Sequence, residues 1–168
     1  MELRAIPLVL LILCFLQMTR EQALKKKPKK NVAPKRVCLR GIKVYRKCFL
    51  LMSGQKNFHE AADDCILHGG TLSTPHDYHE NDELYDYARR TLGDEHDIWI
   101  GVTDIGTEGD WVDVSGQATN YTNWETARRQ PDGGTRANCV AMSGTAVGKW
   151  FDESCARQKN YFCQFNVT

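Results

Sequence analysis

Seven cysteines, five histidines and a run of lysines are the residues of this 168-residue chain that could carry redox, metal or electrostatic chemistry. Cys14 lies in an apolar stretch near the start, while Cys38, Cys48, Cys65, Cys139, Cys155 and Cys163 form an even set. In an exported chain an even set predicts three disulfides, and six cysteines leave many pairings open. Cys38 and Cys48 are ten residues apart, a spacing that suits a small hairpin. There is no C-x-x-C, and no histidine stands near the cysteines at ligand spacing, which argues against a zinc site. His76-x-x-His79 could share a helix face but has no third ligand at metal spacing. With His59, His68 and His96 the pair reads as surface or capping residues. No G-x-S-x-G elbow, HExxH or phosphate-cradling glycine loop occurs, so the chain reads as non-catalytic.

The charges are segregated. Twenty-two Lys and Arg against 21 Asp and Glu give a formal +1, a balance that argues against a dedicated nucleic-acid binder. Yet Lys25 to Lys56 holds twelve bases and no acid, while residue 57 to the end holds nineteen acids against eight bases, a net of −11. Residues 22–36 carry Lys25, Lys26, Lys27, Lys29, Lys30, Lys35 and Arg36 with two prolines and few apolar residues, which predicts an extended, flexible arm. Two readings of it stay open: an electrostatic grip on sulfated glycans such as heparin, or a solvated segment that only neutralises the body. Ahead of it, Arg4 and the apolar run Ala5 to Leu16 read as a secretory signal over residues 1–21, with cleavage between Gln17 and Ala23. The run is too short to span a bilayer, which needs roughly 20 residues. A secreted chain with no membrane span follows, and Cys14 leaves with the signal.

The remainder, residues 37–168, must position whatever chemistry there is. Lys43 to Met52 is rich in strand formers. From Asn57 the residues Phe58, Ala61, Ala62, Cys65 and Ile66 recur at helical spacing until Gly69-Gly70. A second helix spans Glu80 to Leu92, with Leu84, Tyr87, Ala88 and Leu92 on one face, acids in its early turns and Gly93 at its end. Short strands then alternate with Gly, Asp and Asn: Ile98 to Val102, Gly109 to Val114, and three more near 138–142, 148–152 and 160–166. Between them lies a polar loop from about 115 to 136, long enough to suggest a function. Two helices followed by many strands predict an α+β domain. Trp99, Trp111 and Trp150 are assigned to its core. Asn120-Tyr121-Thr122 and Asn166-Val167-Thr168 are N-glycosylation sequons at Asn120 and Asn166.

Four motifs carry a resemblance: Trp99-Ile100-Gly101-Val102, Gln130-Pro131-Asp132, Trp150-Phe151-Asp152, and the order of the last four cysteines. Over about residues 38–165 the chain resembles the C-type lectin-like domain family. The stretches from Gly69 to Pro75, Asn123 to Thr126, Gln130 to Gly134 and Gly148 to Asp152 are similar to its tetranectin subgroup, and Val37 to Gly41 to a cartilage-derived branch. The resemblance implies two helices, short antiparallel strands and a long ligand-binding loop. It also implies the bridges Cys65–Cys163 and Cys139–Cys155, with Cys38–Cys48 as the extra bridge of long-form members. A role in tissue remodelling or mineralising matrix is implied too.

It further implies calcium, at one site on Asp104, Glu108, Gly134 and Asn138 and at another on Gln130, Asp132 and Asp152. Here the chain departs from the pattern. Ala137 stands where a glutamate usually serves both sites, which weakens each oxygen shell. Phe151 stands where an asparagine completes sugar coordination, so the resemblance no longer implies simple calcium-bridged monosaccharide binding. The subgroup's contact with a plasminogen kringle uses a lysine and acids in the same loop. Thr135 and Ala137 replace two of them, Asp152 remains, and Lys149 lies at a different position, so kringle binding is doubtful. The subgroup's trimerising heptad neck has no counterpart between residues 20 and 40, which predicts a monomer. What remains is a protein or glycan ligand at the loop, or else a structural or decoy domain without calcium-dependent glycan binding.

Overall fold

The computed structural model describes residues 38–167. The predicted signal and the arm residues Lys25, Lys26, Lys27, Lys29, Lys30, Lys35 and Arg36 lie outside the described residues. The strand-rich run after Gly41 is two strands, β1 (Ile42–Val44) and β2 (Lys47–Lys56), rather than one. The chain reverses at Tyr45, which adopts a φ of 51°. No Gly, Asn or Pro marks that turn, so the strand-forming side chains conceal it.

Helix α1 (Phe58–Leu67) starts where its cap dictates. The Asn57 side chain accepts from the Glu60 N–H at 2.9 Å, and the Asn57 N–H donates back to the Glu60 carboxylate at 3.2 Å. Helix α2 (Tyr78–Leu92) starts two residues earlier than its acidic turn suggests, because Asp77 caps it by accepting from Glu80 N–H. After β3 (Thr71–Leu72) come β4 (Ile98–Thr103), β5 (Val112–Asp113), β6 (Cys139–Met142), β7 (Trp150–Glu153) and β8 (Lys159–Asn166). The main sheet runs β1-β2-β8-β4-β6-β7, with β3 on β8 and β5 on β4. Pairing is antiparallel except between β4 and β8, which run parallel.

Alternation along the central strands explains the two cores. Ile98, Ile100 and Val102 of β4 join Val140, Met142 and Phe162 on one face, where α2 contributes Leu84 and Ala88. Trp99 joins Cys139, Ala141, Tyr161 and Cys163 on the other, where α1 contributes Phe58, Ala61 and Cys65. Gly101 is required on that second face: a β-carbon there would lie 2.6 Å from the Leu72 carbonyl oxygen, and its N–H donates to Ser73. Disulfides join Cys38 to Cys48, Cys65 to Cys163 and Cys139 to Cys155, with Cα–Cα distances of 5.4, 5.2 and 5.2 Å. Trp99 and Trp150 are fully buried, but Trp111 is only half-buried and packs on the core from the loop side. It lies just before the two-residue strand β5, outside the sheet, and its indole packs against Trp124.

Candidate binding site on the long loop

The loop between β5 and β6 is built on an aromatic floor. Trp124 packs edge-on against Trp111 at 4.8 Å and against Trp150 at 5.9 Å, and Tyr121 meets Trp150 at 5.5 Å. Trp150 donates its indole N–H to Asn81 of α2 at 2.7 Å. Asn81 and Asn123 both donate to the Gly148 carbonyl, and Lys149 donates to the Asn123 side chain at 2.8 Å. These bonds tie the loop to the start of β7. Beyond them the backbone makes two short 3-10 turns, Thr126–Arg128 and Gly134–Arg136, separated by a cis Gln130–Pro131 bond.

The first predicted oxygen set sits where β4 ends. Asp104 is buried, its N–H donates to the Asn138 carbonyl at 3.2 Å, and the Thr103 hydroxyl donates to the same carbonyl at 2.6 Å. Asp104 Oδ2 accepts from Gly109 N–H at 2.9 Å. Asp104 Oδ1 is buried with no hydrogen-bond partner among the described residues. Exposed Glu108 faces Gly134, where a β-carbon would lie 3.9 Å from Glu108 Oε1, and Gly134 has a φ of 51°. Asp104 thus meets Asn138 through the backbone, and Glu108 meets Gly134.

The second set is brought together and closed on itself. Asp152 Oδ1 accepts from Asp132 N–H at 3.0 Å and Oδ2 from Gly133 N–H at 2.7 Å. Gln130 accepts from Asp152 N–H at 2.9 Å and donates to Asp132 Oδ1 at 2.7 Å. Gly133 packs so tightly that a β-carbon there would overlap the Ala137 methyl and lie 3.0 Å from Asp152 Oδ2.

The two sets fit a hard cation unequally. A buried carboxylate oxygen without a donor, as at Asp104, is the group an oxygen-seeking ion would satisfy. The oxygens that Gln130 and Asp152 would offer already accept protein N–H groups. Among the described residues no three His, Cys, Asp or Glu side chains converge closely enough to hold a metal by themselves. A cation here would depend on amide and backbone oxygens as well.

The "Lectin C-type domain" family model matches residues 54–165. The chain belongs to the C-type lectin family. It is 51% identical to human tetranectin over 140 residues, which cover 83% of this chain and 69% of that protein. It is 49% identical to human C-type lectin domain family 3 member A over 131 residues, 78% of this chain and 66% of that one. Among solved structures it superposes on the C-type lectin CEL-I from Cucumaria echinata with a TM-score of 0.71 at 23% identity, covering 77% of this chain and 96% of that one. Members of this tetranectin-like branch are non-catalytic binding domains, and so is this one.

Other residues singled out in the sequence fall in various places. Asn120 and Asn166 are both exposed. Asn120 borders a small open cleft with Thr74, His76, Asp113 and Tyr121. Burial pushes the Tyr121 hydroxyl up to about 12, with Asp77, Tyr78 and Asp82 adding to the shift. Two histidines have structural contacts: His68 bonds the Asp64 carbonyl at the end of α1, and His76 lies beside Lys47 and buried Glu80. Among the described residues no helix is long and apolar enough to cross a membrane.

Sequence reasoning passed over Arg128. Its guanidinium lies 5.6 Å from the centroid of the Phe151 ring. Arg129 follows in a left-handed conformation that closes the first short turn. Only the paired arginines hinted at this, since an aromatic at 151 is distant in sequence.

Proposed function

We propose that this is a secreted, monomeric binding protein of the tetranectin subgroup. It holds extracellular polyanions such as heparin through Lys25, Lys26, Lys27, Lys29, Lys30, Lys35 and Arg36, and a glycan or protein through the long loop. Three disulfides suit an oxidising, extracellular setting. Asp104, Glu108, Gly134 and Asn138 would be the principal donors to calcium, which would supply countercharge to the loop carboxylates. Gln130, Asp132 and Asp152 form a second set that Ala137 leaves short of oxygens. The observation that carries this reading is the buried, unpartnered Asp104 Oδ1 at the foot of an assembled loop. A role in remodelling or mineralising matrix accords with the subgroup. Kringle binding is weak in this reading, because Lys149 is held by Asn123 and Thr135 offers no cation.

The test is a calcium titration by calorimetry, beside a heparin column run on intact protein and on protein cut after Arg36. Millimolar calcium affinity and earlier elution of the cut form are expected. No heat with calcium and identical elution would overturn both halves. Sedimentation as a trimer would overturn the monomer. A second reading, a decoy domain without calcium-dependent glycan binding, is favoured by one observation: Gln130, Asp132 and Asp152 satisfy one another and the loop without an ion.

A further inference from the structure

We propose that the long loop carries an anion-binding face of its own, built on Arg128, Arg129 and Arg136, and that it takes sulfated glycan chains independently of the basic arm. This rests on the reading of the loop as a ligand site and names the class of ligand.

From residue 57 onward the chain holds eight bases against nineteen acids, and three of the eight fall between residues 128 and 136. Three of the other five are paired with acids, while Lys149 bonds the Asn123 amide and exposed Arg157, remote from the loop in sequence, forms no salt bridge among the described residues. Arg89 and Arg90 pair with Asp86, and Lys159 lies 3.3 Å from Asp97 and 3.1 Å from Glu153. Among the described residues Arg128, Arg129 and Arg136 form no salt bridge, and all three are exposed.

The acids nearest to them in the chain are engaged otherwise. Glu125 accepts from Ala127 N–H at the head of the first short turn, Asp132 accepts from Gln130, and Asp152 is turned inward onto loop N–H groups. Ala137 removes the one further acid that the family pattern would place there. The loop therefore presents three arginines without an ion pair, against Glu125 and Asp132 within it and Glu108 facing Gly134, on a domain that is otherwise strongly acidic.

Two successive residues of β7 anchor both short turns. The Phe151 ring lies beneath the Arg128 guanidinium, and Asp152 holds Gly133, three residues before Arg136. An aromatic face restrains a guanidinium while leaving its donor fork free for the paired oxygens of a sulfate. Screening over roughly 8 Å at physiological salt makes such a site local, so the acidic body does not cancel it.

The surface favours a polyanionic chain over an acidic protein. A protein partner needs a buried apolar anchor ringed by polar contacts. Around the arginines the exposed residues are Thr126, Ala127, Pro131, Asp132, Gly134 and Thr135, and none is a large aromatic or aliphatic anchor. A sulfated chain needs only closely spaced cations and the release of its counterions.

The test uses the full-length protein and a heparin-derived octasaccharide, with affinity measured across a range of salt. One variant replaces the seven arm bases by Ala, one is Arg128→Ala/Arg129→Ala/Arg136→Ala, and a third combines them. The arm variant is expected to keep measurable binding that EDTA leaves unchanged, and the combined variant to lose it. With the arm intact, the loop variant should bind about tenfold more weakly and lower the salt slope by about two. Its melting temperature should match wild type, since the three side chains are exposed. Wild-type affinity in the loop variant overturns the proposal, as does an arm variant that no longer binds. If the arm variant binds as tightly as wild type while the loop variant does not, the arm reading fails and this proposal stands. Equal competition by polyglutamate of matched charge would overturn the choice of a glycan.

Discussion

Asp104 and Asp152 are both almost fully buried, 1% and 6% exposed, and the fold treats them differently. Asp152 spends both carboxylate oxygens on backbone N–H groups of the loop that crosses it. Asp104 spends one on Gly109 and leaves the other without a donor. A buried charge that is fully hydrogen-bonded organises its surroundings, whereas one left half-bonded is costly until something satisfies it. The contrast separates the role of a clasp from that of a site. Under the proposed calcium reading both residues would face the ion, and the bonding of Asp152 to loop N–H groups leaves less for an ion to satisfy there than at Asp104.

The largest effect is expected where the clasp is cut. Asp152→Ala strands the N–H groups of Asp132 and Gly133 and should cost about 3 kcal/mol, since each lost bond is to a charged acceptor. Urea denaturation measures the loss, and faster hydrogen exchange at Asp132 and Gly133 localises it. A cost below about 0.5 kcal/mol, ordinary for a surface substitution, would mean that the loop does not depend on Asp152.

Next in size is the position that made the two residues diverge. Ala137→Glu should tighten calcium binding about tenfold, or about 1.4 kcal/mol, by returning a charge and two oxygens beside both sets. The Ala137 methyl already crowds Gly133, so a glutamate side chain must project toward solvent and the ion. Calorimetry on the variant and wild type decides this. Unchanged affinity would place the deficit elsewhere in the shell.

A third carboxylate, remote from the loop, calibrates the contrast. Burial raises the Asp64 carboxyl, but hydrogen bonds from Lys56 and Tyr161, with the charges of Lys56 and His68, outweigh it and hold Asp64 below its usual range. A depressed folded-state pKa stabilises the fold above the unfolded carboxyl value of roughly 3.9, and the benefit is lost as pH falls through the folded value. Asp64→Asn should therefore cost about 1 kcal/mol at neutral pH and nothing in strong acid, because Lys56 is partly solvated. Denaturation curves on both proteins from neutral to strongly acidic pH would show the difference closing. A constant difference would mean that packing, not charge, sets the cost.

Which of these features could be read in advance depended on the range of the interaction. The α1 cap is local, so Asn57 and Glu60 announce it. The buried alternation of β4 is plain in Ile98 to Val102. The Cys38–Cys48 spacing suited the β1–β2 hairpin, but its turn could not be placed because Tyr45 adopts a left-handed conformation without a residue that favours it. Strand β3 has only two residues, too few for any period to register. The parallel pairing of β4 with β8 joins residues some sixty positions apart and leaves no mark on either strand. At the site, the candidate oxygen-bearing residues came from motif resemblance alone. That Asp152 turns inward and Asp104 does not is a matter of which N–H groups the folded loop delivers, and composition cannot carry it. The Arg128–Phe151 contact is of the same kind.

The smallest change in resting stability is the most decisive for the comparison. Asp104→Asn keeps an oxygen to accept from Gly109 N–H and removes a buried charge that lacks a full set of partners. In chelator the variant should lie within about 0.5 kcal/mol of wild type, because the lost charge–dipole attraction is offset by the lower cost of burying a neutral amide. With millimolar calcium the two should part. Any rise in wild-type melting temperature reflects the ion binding only the folded state, and its size follows from the ratio of calcium concentration to dissociation constant. That rise should vanish in Asp104→Asn and persist in Asp64→Asn, since residue 64 belongs to α1 and not to the loop. Scanning calorimetry with and without calcium on the three proteins makes the measurement. A rise that survives Asp104→Asn would assign the ion to the Gln130, Asp132 and Asp152 set and reverse the roles argued for the two buried carboxylates.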